Sequence, residues 1–415
     1  MNLFNVTYTT IINEHLQEIL IQKSTYITIQ NTTLLGRGII FYDYETRLKN
    51  WNTHTIVDNI VRSKPLYYYK NTNFLTVPRN AGQVILANCS YMVIQNLVLE
   101  NSSHGIQLAF SAYNIIRNNS IRGIGNWHID SVGINLINSS NNVIYGNIIN
   151  ATITGIDITK ASYNLIRQNT IVQNSVGLSL GQSEWNMISQ NMFSENWDGI
   201  ILYDSTNTTI RENTILNNYD VGINVYSGHP LFIYHNNLIN NSLNAYNFGT
   251  YIWDNGYPCG GNYWSDNWWV IDENHGPGQN ISGPDGIDDN PYNFISGIDR
   301  YPFIQVNGWD KPPNSPSNPH PVNGSSRVNV YTNLTWSGGD PYGDPVKYFV
   351  YLGTHPSMLR LVNITLECCY DPPNRLLGTT LYYWQIIALD DHNHEVAGPI
   401  WHFKTALEYE QIVPN

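Results

Sequence analysis

Charge is scarce in this chain of 415 residues. Only 13% of the side chains are charged, and 32 acidic against 20 basic residues leave a net charge near −12. That balance excludes a partner held by general attraction to phosphate, whether nucleic acid or an anionic membrane surface. Neutral or cationic partners are expected instead. So few charges also argue against long solvated helices, while 42% hydrophobic residues suffice for a packed core and argue against disorder. No stretch of helix-spanning length is free of polar residues, so no membrane span is expected. Cysteine is rare as well. Cys89, Cys259, Cys368 and Cys369 make no CxxC pair and no zinc spacing, which excludes a disulfide-dense scaffold and leaves the redox compartment open. Met1 to Asn13 lacks the basic, apolar, small-residue order of a secretory leader. Either the protein is cytoplasmic or its leader has been lost.

What is abundant is asparagine, with 57 residues. Asparagine is a poor helix former that favours turns, so an all-β, turn-rich chain is expected. The chain also repeats. A glycine followed by an apolar residue recurs at Gly105, Gly133, Gly155, Gly177, Gly199 and Gly222, in steps of 28, 22, 22, 22 and 23. Asn96, Asn119, Asn147, Asn169, Asn191, Asn213 and Asn236 keep the same rhythm, as do Asn114, Asn142, Asn164 and Asn186. Three residues before the first asparagine column runs an apolar column from Val93 to Ile233, and two after it another from Val98 to Leu238. Alternation over only a few positions, broken by turn residues, is strand periodicity, and about 22 residues are too few for a helical hairpin. Three short strands per coil, stacked about 4.8 Å apart, place like on like and let buried asparagines bond along a ladder. The pattern predicts a parallel β-helix of about 22-residue coils, with glycine supplying a tight bend before a strand. Asn174 reads as lying outside the ladder and is expected to tolerate leucine.

The excess of the 28-residue step falls at Gly123 to Asp130 and predicts an outward loop. Ile27 to Asn31 resembles an early coil, and Trp51 to Tyr69 reads as a strand pair reaching off the tube. The boundaries follow from shifts of pattern: a β-helix over 1–250, a Trp/Gly/Asp-rich closing segment over 251–310, a proline-rich linker over 311–321, a C-terminal β-sandwich over 322–407, and a tail over 408–415.

The coil phrasing, Gly-Ile-x-Leu with Asn-Asn-x-Ile-x-x-Asn, resembles the repeats of the NosD-like family of cell-envelope proteins. Gly260-Gly-Asn-Tyr-Trp-Ser-Asp266, Gly283 to Tyr292 and Asp299-Arg-Tyr-Pro302 are similar to that family's closing segment, and Trp51 to Thr55 and Val77 to Val84 to its early coils. The resemblance covers roughly residues 24–310, and residues 313–405 are similar to a fibronectin type III module. It implies a right-handed helix, an exported protein of the periplasm or cell surface, and a chain from which a leader and first coils are missing. It also implies a copper-related accessory role. Copper sites want clustered Cys, Met or His, whereas the five methionines are scattered and His392 and His394 form the one close histidine pair.

Four sets of residues could carry chemistry. His128 and Asp130 in the outward loop, with Asp157 on the neighbouring coil, could form an acid/base group on the β-helix face; the bland alternative is a solvated loop. Tyr113, Tyr163 and Trp185 precede the second asparagine column, and Arg117, Arg167 and Arg211 stand two before the first. Aromatic faces stack on sugars and arginine pairs with carboxylates, although such residues can simply cover one another. Asp285, Asp288 and Asp289 resemble a calcium loop or an Asx-bonded turn. Gly177-Leu-Ser-Leu-Gly181 matches a hydrolase nucleophile pattern, but the repeat accounts for its glycine and leucines. The expected function is a non-catalytic extracellular or cell-envelope protein whose partner is a surface polysaccharide, or which is purely structural. A polysaccharide lyase, hydrolase or epimerase is the alternative.

Overall fold

The structure, a computed structural model, describes residues 1–42, 47–101, 103–123, 131–249, 251–341 and 343–407. Each repeat folds into one coil of three strands, as in Thr154–Thr159, Leu165–Arg167 and Thr170–Val172. Successive coils pair in parallel register, so Ile134, Ile156, Leu178 and Ile200 form one column and Ile144, Ile166, Ile188 and Ile210 another. Strands Ile148–Asn150, Thr170–Val172 and Met192–Ser194 supply a third, through Ile149, Ile171 and Phe193. All these side chains are buried in one core. The chain is all-β, a parallel β-solenoid of about 11 turns.

The asparagine corners share one two-residue pattern. The first has left-handed backbone, as at Asn118, Gly146, Gln168, Gln190, Glu212 and His235. The next turns a polar side chain inward. Asn119, Asn147, Asn169, Asn191, Asn213 and Asn236 are buried, and each accepts the backbone N–H of its predecessor one coil earlier, as when Asn169 N–H donates to Asn191 Oδ1 at 3.0 Å. This resolves the asparagine excess into two uses, since asparagine is among the few residues that tolerate the left-handed corner and is also the amide that completes the ladder. Asn96 belongs to the first use. The register Ile94 to Ile116 puts Leu97 at the ladder position and Asn96, exposed and left-handed with φ of 56°, at the corner before it. Ile94 and Leu99, not Val93 and Val98, are the core residues of that coil.

Asn174 is also a ladder residue. Asn174, Asn196 and Asn218 are buried, and Asn174 N–H donates to Asn196 Oδ1 at 3.0 Å. The expectation that it tolerates leucine is therefore overturned. The column glycines have a different reason from the bend expected of them: a Cβ on Gly177 would stand 2.4 Å from the carbonyl oxygen of Gly199, so the coils approach too closely for a side chain.

Upstream, Thr55–Val57 pairs in parallel with Thr28–Gln30, and Lys64–Lys70 with Gln83–Ala87. These strands are coils of the tube rather than an excursion from it. A second core joins Ile19, Ile21, Ile39, Phe41 and Trp51 to Ile85, Ala87, Ala109 and Ile137. These last four sit on the outer face of the long sheet, which the N-terminal strands therefore cover. At the other end Tyr263–Trp264 adds a strand beside Asn237–Ile239. Asn262 extends the asparagine ladder at 2.9 Å from Asn236 N, and Trp264 continues the Ile149 column while its Nε1–H donates to Asp299 Oδ2 at 2.8 Å. This closes the stack.

The first compact unit spans Met1–Asn307 and the second Gly308–Asn415. In the second, Ser317–His320, Leu334–Ser337 and Cys369–Tyr370 form one sheet, and Ser325–Val328, Trp401–Thr405, Leu381–Leu389, Lys347–Gly353 and Arg360–Thr365 another. Both contribute to one core that includes Trp336, Tyr348, Trp384 and Phe403. Residues 311–321 are thus no free linker, because Ser317–His320 pairs with Leu334–Ser337. The tail over 408–415 lies outside the described residues.

Candidate functional site

Where the N-terminal cover ends, the outer face of the long sheet opens into a groove of about 450 Å³. Its floor is the in-register column Asn135, Asp157 and Ser179. Phe41 and Tyr42 wall one end, and Gln182 and Tyr203 the other. Ile39 to Phe41 are tied down by Gln83, whose Nε2 donates to Ile39 O at 2.7 Å, and by Gln107, whose Oε1 accepts Phe41 N–H at 3.2 Å. Tyr203 depends on Gly181, where a Cβ would meet the ring at 2.2 Å. The groove crosses five coils, about 19 Å along the axis.

Its chemistry is mostly neutral. Asn135, Gln182, Ser179, Thr154 and Thr159 offer amides and hydroxyls beside one carboxylate, Asp157, and one amine, Lys160. Two buried polar atoms on its lining, Asn135 Oδ1 and His104 Nδ1, have no hydrogen-bond partner among the described residues. Burial pushes the His104 imidazole down to about 3, so it is neutral at ordinary pH and offers one donor and one acceptor.

Of the acid/base trio only Asp157 can be located, on the groove floor; His128 and Asp130 lie outside the described residues. Ser179 of the GxSxG pattern lies mid-strand in Val176–Gly181.

Tyr113, Tyr163 and Trp185 occupy left-handed corners, with φ of 59°, 58° and 56°. The rings of Phe74, Tyr91 and Tyr113 stack at 4.9 and 5.3 Å, and those of Tyr163 and Trp185 lie parallel at 6.3 Å. Their faces are turned to one another along the axis, so a polymer lying along the tube meets ring edges. Arg117 and Arg167 flank the ring of Tyr145 at 5.9 and 5.6 Å, and Arg117 donates to Tyr145 Oη at 2.7 Å. Arg211 pairs with Glu212. Each of these side chains thus has a ring or charged group of a neighbouring residue beside it.

The acidic loop is engaged by N–H donors. Asp285 Oδ1 accepts Ile287 N–H at 3.0 Å, Asp288 Oδ1 accepts Asn290 N–H at 3.0 Å, and Asp289 Oδ1 accepts Asn274 N–H at 3.1 Å. Asp288 Oδ2 takes the Asn267 amide at 2.9 Å and Asp289 Oδ2 that of Asn274 at 2.7 Å. The oxygens hold turns and bind separate strands of the closing segment, an arrangement that fits Asx bonding better than ligation of a shared calcium.

Among the described residues of the first unit, copper donors do not converge. His54 is buried with Nδ1 accepting Ile27 N–H and Nε2 on Asn50 O, His235 Nε2 is held by Cys259 O, and Met92 is in the core while Met187 and Met192 are exposed on different sheets. The donor set does not fit a copper centre there. Sequence reasoning missed the groove because its wall is folded back from residues 39–42, far from its floor in sequence. The uninterrupted apolar run Val84-Ile85-Leu86-Ala87 was the available signal that the sheet is covered on both faces.

The profile of the family described as Periplasmic copper-binding protein (NosD) matches residues 5–198 and, overlapping, 124–267. No curated protein matches the chain. Among solved structures, a double mutant of the periplasmic alginate epimerase AlgG is 16% identical over 61% of this chain and 70% of that one, with a TM-score of 0.32. The alginate lyase from Paenibacillus sp. str. FPU-7 is 11% identical over 60% of this chain and 93% of that one, with a TM-score of 0.21. The fibronectin type-III domain of human fibronectin type III domain containing protein 3 is 17% identical over 25% of this chain and 96% of that one, at 0.20. At these scores the likenesses decide nothing about activity.

Proposed function

The chain belongs to the NosD family, and from that premise we propose that it is a periplasmic or extracellular glycan-binding protein that holds a polysaccharide segment in the groove of Asn135, Asp157 and Ser179. The observation that carries the reading is the pair of buried, unpartnered polar atoms, Asn135 Oδ1 and His104 Nδ1, on the lining of an elongated groove. Such atoms are costly unless a ligand or water completes them, and a polyhydroxylated chain supplies donors and acceptors at short intervals. Tyr42 and Tyr203 give aromatic surface at the ends. Binding is the reading that the described lining supports, since it offers mainly neutral amides and hydroxyls with Asp157 as its one carboxylate.

A glycan array followed by calorimetric titration of the glycans retained tests the reading. Ser179→Trp, which fills the groove, is expected to abolish binding, and Asp157→Ala to weaken it about tenfold. Binding unaffected by Ser179→Trp, or no glycan bound by the wild type, would overturn it. Release of unsaturated or reducing ends in the same samples would replace it with the lyase, hydrolase or epimerase reading.

A further inference from the structure

The second unit contains a side-chain cluster outside the residues matched by the family profile. It lies between the loop before strand Lys347–Gly353 and the hairpin that joins Leu381–Leu389 to Glu395–Ala397. Asp344 Oδ2, Asp391 and His392 each offer a ligand atom, and these atoms lie within 4.8 Å of one another. His392 Nδ1 is 3.4 Å from Asp344 Oδ2 and 3.3 Å from Asp391 Oδ1. We propose that Asp344, Asp391 and His392 form a binding site for a first-row divalent cation of the zinc type.

Three observations support this. The separations are too long for good hydrogen bonds, yet they match the distance between neighbouring ligands of a tetrahedral ion, about 3.3–3.6 Å when each ligand stands about 2.0–2.2 Å from the metal. Second, the Asp344 side chain is 4% exposed, and its Oδ2, aimed at His392, accepts no hydrogen bond among the described residues. A buried carboxylate oxygen in that state calls for a cation. Third, the surroundings add negative charge: Asp310 Oδ1 lies 3.5 Å from His392 Nδ1 and 3.4 Å from His394 Nδ1.

The ligand set also selects the ion. One imidazole with carboxylates suits zinc or manganese, whereas calcium takes oxygen ligands throughout. The hairpin is built to hold His392 in place, because Asp390 Oδ1 accepts the backbone N–H groups of His392 and His394 at 3.0 and 2.7 Å. Asp390 Oδ2 bonds His394 Nδ1 at 2.9 Å, which leaves His394 beside the cluster as an outer partner. Two ligands from the hairpin and one from the distant loop would tie together two segments of the sandwich.

The test uses the full chain, treated with chelator and titrated with zinc chloride by calorimetry, with thermal melts in parallel. One zinc ion per chain and a rise of several degrees in the melting temperature are expected, both lost in Asp344→Asn and in His392→Gln. The second variant changes a partly exposed hairpin residue and guards against failure of the first to fold. Cobalt(II) should give a visible absorption band that disappears in His392→Gln. Absence of binding heat, zinc uptake unchanged in both variants, or calcium bound in preference to zinc would overturn the proposal.

Discussion

Replacing Asn191 by leucine tests the physical account of the solenoid most directly. Asn191 Oδ1 accepts the backbone N–H of Asn169 at 3.0 Å and its side-chain amide at 2.9 Å, while Asn191 Nδ2 donates to Ile166 O at 2.9 Å, Ser189 O at 3.0 Å and Asn213 Oδ1 at 2.9 Å. Leucine is similar in size, so the loss is of hydrogen bonds rather than volume. The Asn169 amide keeps its bonds to Ile144 O and Arg167 O, and Asn213 Oδ1 keeps the backbone N–H of residue 191. What is stranded is the Asn169 N–H and the bond to Ile166 O, both away from water. At about 1–3 kcal/mol for each buried group left unsatisfied, the cost is about 2–6 kcal/mol. Asn174→Leu should cost as much, since Asn174 Oδ1 accepts both Thr152 N–H and Thr152 Oγ1–H. Met192→Gln, at an exposed neighbouring position, should stay within about 0.5 kcal/mol. Urea unfolding followed by circular dichroism provides the comparison. Midpoints for Asn191→Leu and Asn174→Leu equal to that of Met192→Gln would refute the ladder as a source of stability.

Other perturbations probe the cap, the charge state and the aromatic column. Asp299→Ala strands the N–H donors of Asn262, Trp264 and Tyr301, so it should cost about 3–5 kcal/mol and expose Trp264 to a fluorescence quencher. Burial raises Asp299 to about 7 and Asp198, helped by Asp220, to about 6. The folded state therefore retains protons that the unfolded chain releases, and this contribution to stability is lost as pH rises from about 4 through those values. Asp299→Asn should remove part of that slope, and a wild-type-to-variant difference identical at the two ends of this pH range would count against it. Trp185→Ala should lower stability by about 0.5–1.5 kcal/mol through loss of its stack on Tyr163, while leaving the glycan isotherm unchanged. A weakened isotherm with unchanged stability would return the corner column to the role of a binding strip.

How much was legible in the sequence depended on whether the information was periodic. The Ile116 to Ile233 column and the Asn119 to Asn236 ladder could be placed because each coil repeats its predecessor in register, and a repeat projects three dimensions onto one; the closing Gly260 to Asp266 segment, beyond the repeat, was placed only by its resemblance to the family's closing segment. Asn96 failed because the step from residues 94–97 to 116–119 is 22, one fewer than the spacing of Asn96 and Asn119, and an asparagine is equally at home in the corner beside the ladder. Asn174 failed for the converse reason: its partners at Asn196 and Asn218 were in the rhythm, but Thr152 begins that ladder without an asparagine.

Sequence by itself thus determined the parallel stacking, the coil length and the inward columns, because strand alternation and left-handed corners are local properties of the chain. The outer surface was decided only by tertiary structure. Whether Tyr163 and Trp185 show faces or edges depends on side-chain directions at left-handed corners, and whether His104 and Asn135 are buried depends on residues 39–42 folding back over coils some 60 to 100 positions away. The Asp344, Asp391 and His392 cluster likewise exists only because the sandwich brings a loop and a hairpin together. Outward positions carry no packing constraint from their own repeat, so their partners come from wherever the remaining chain is laid down.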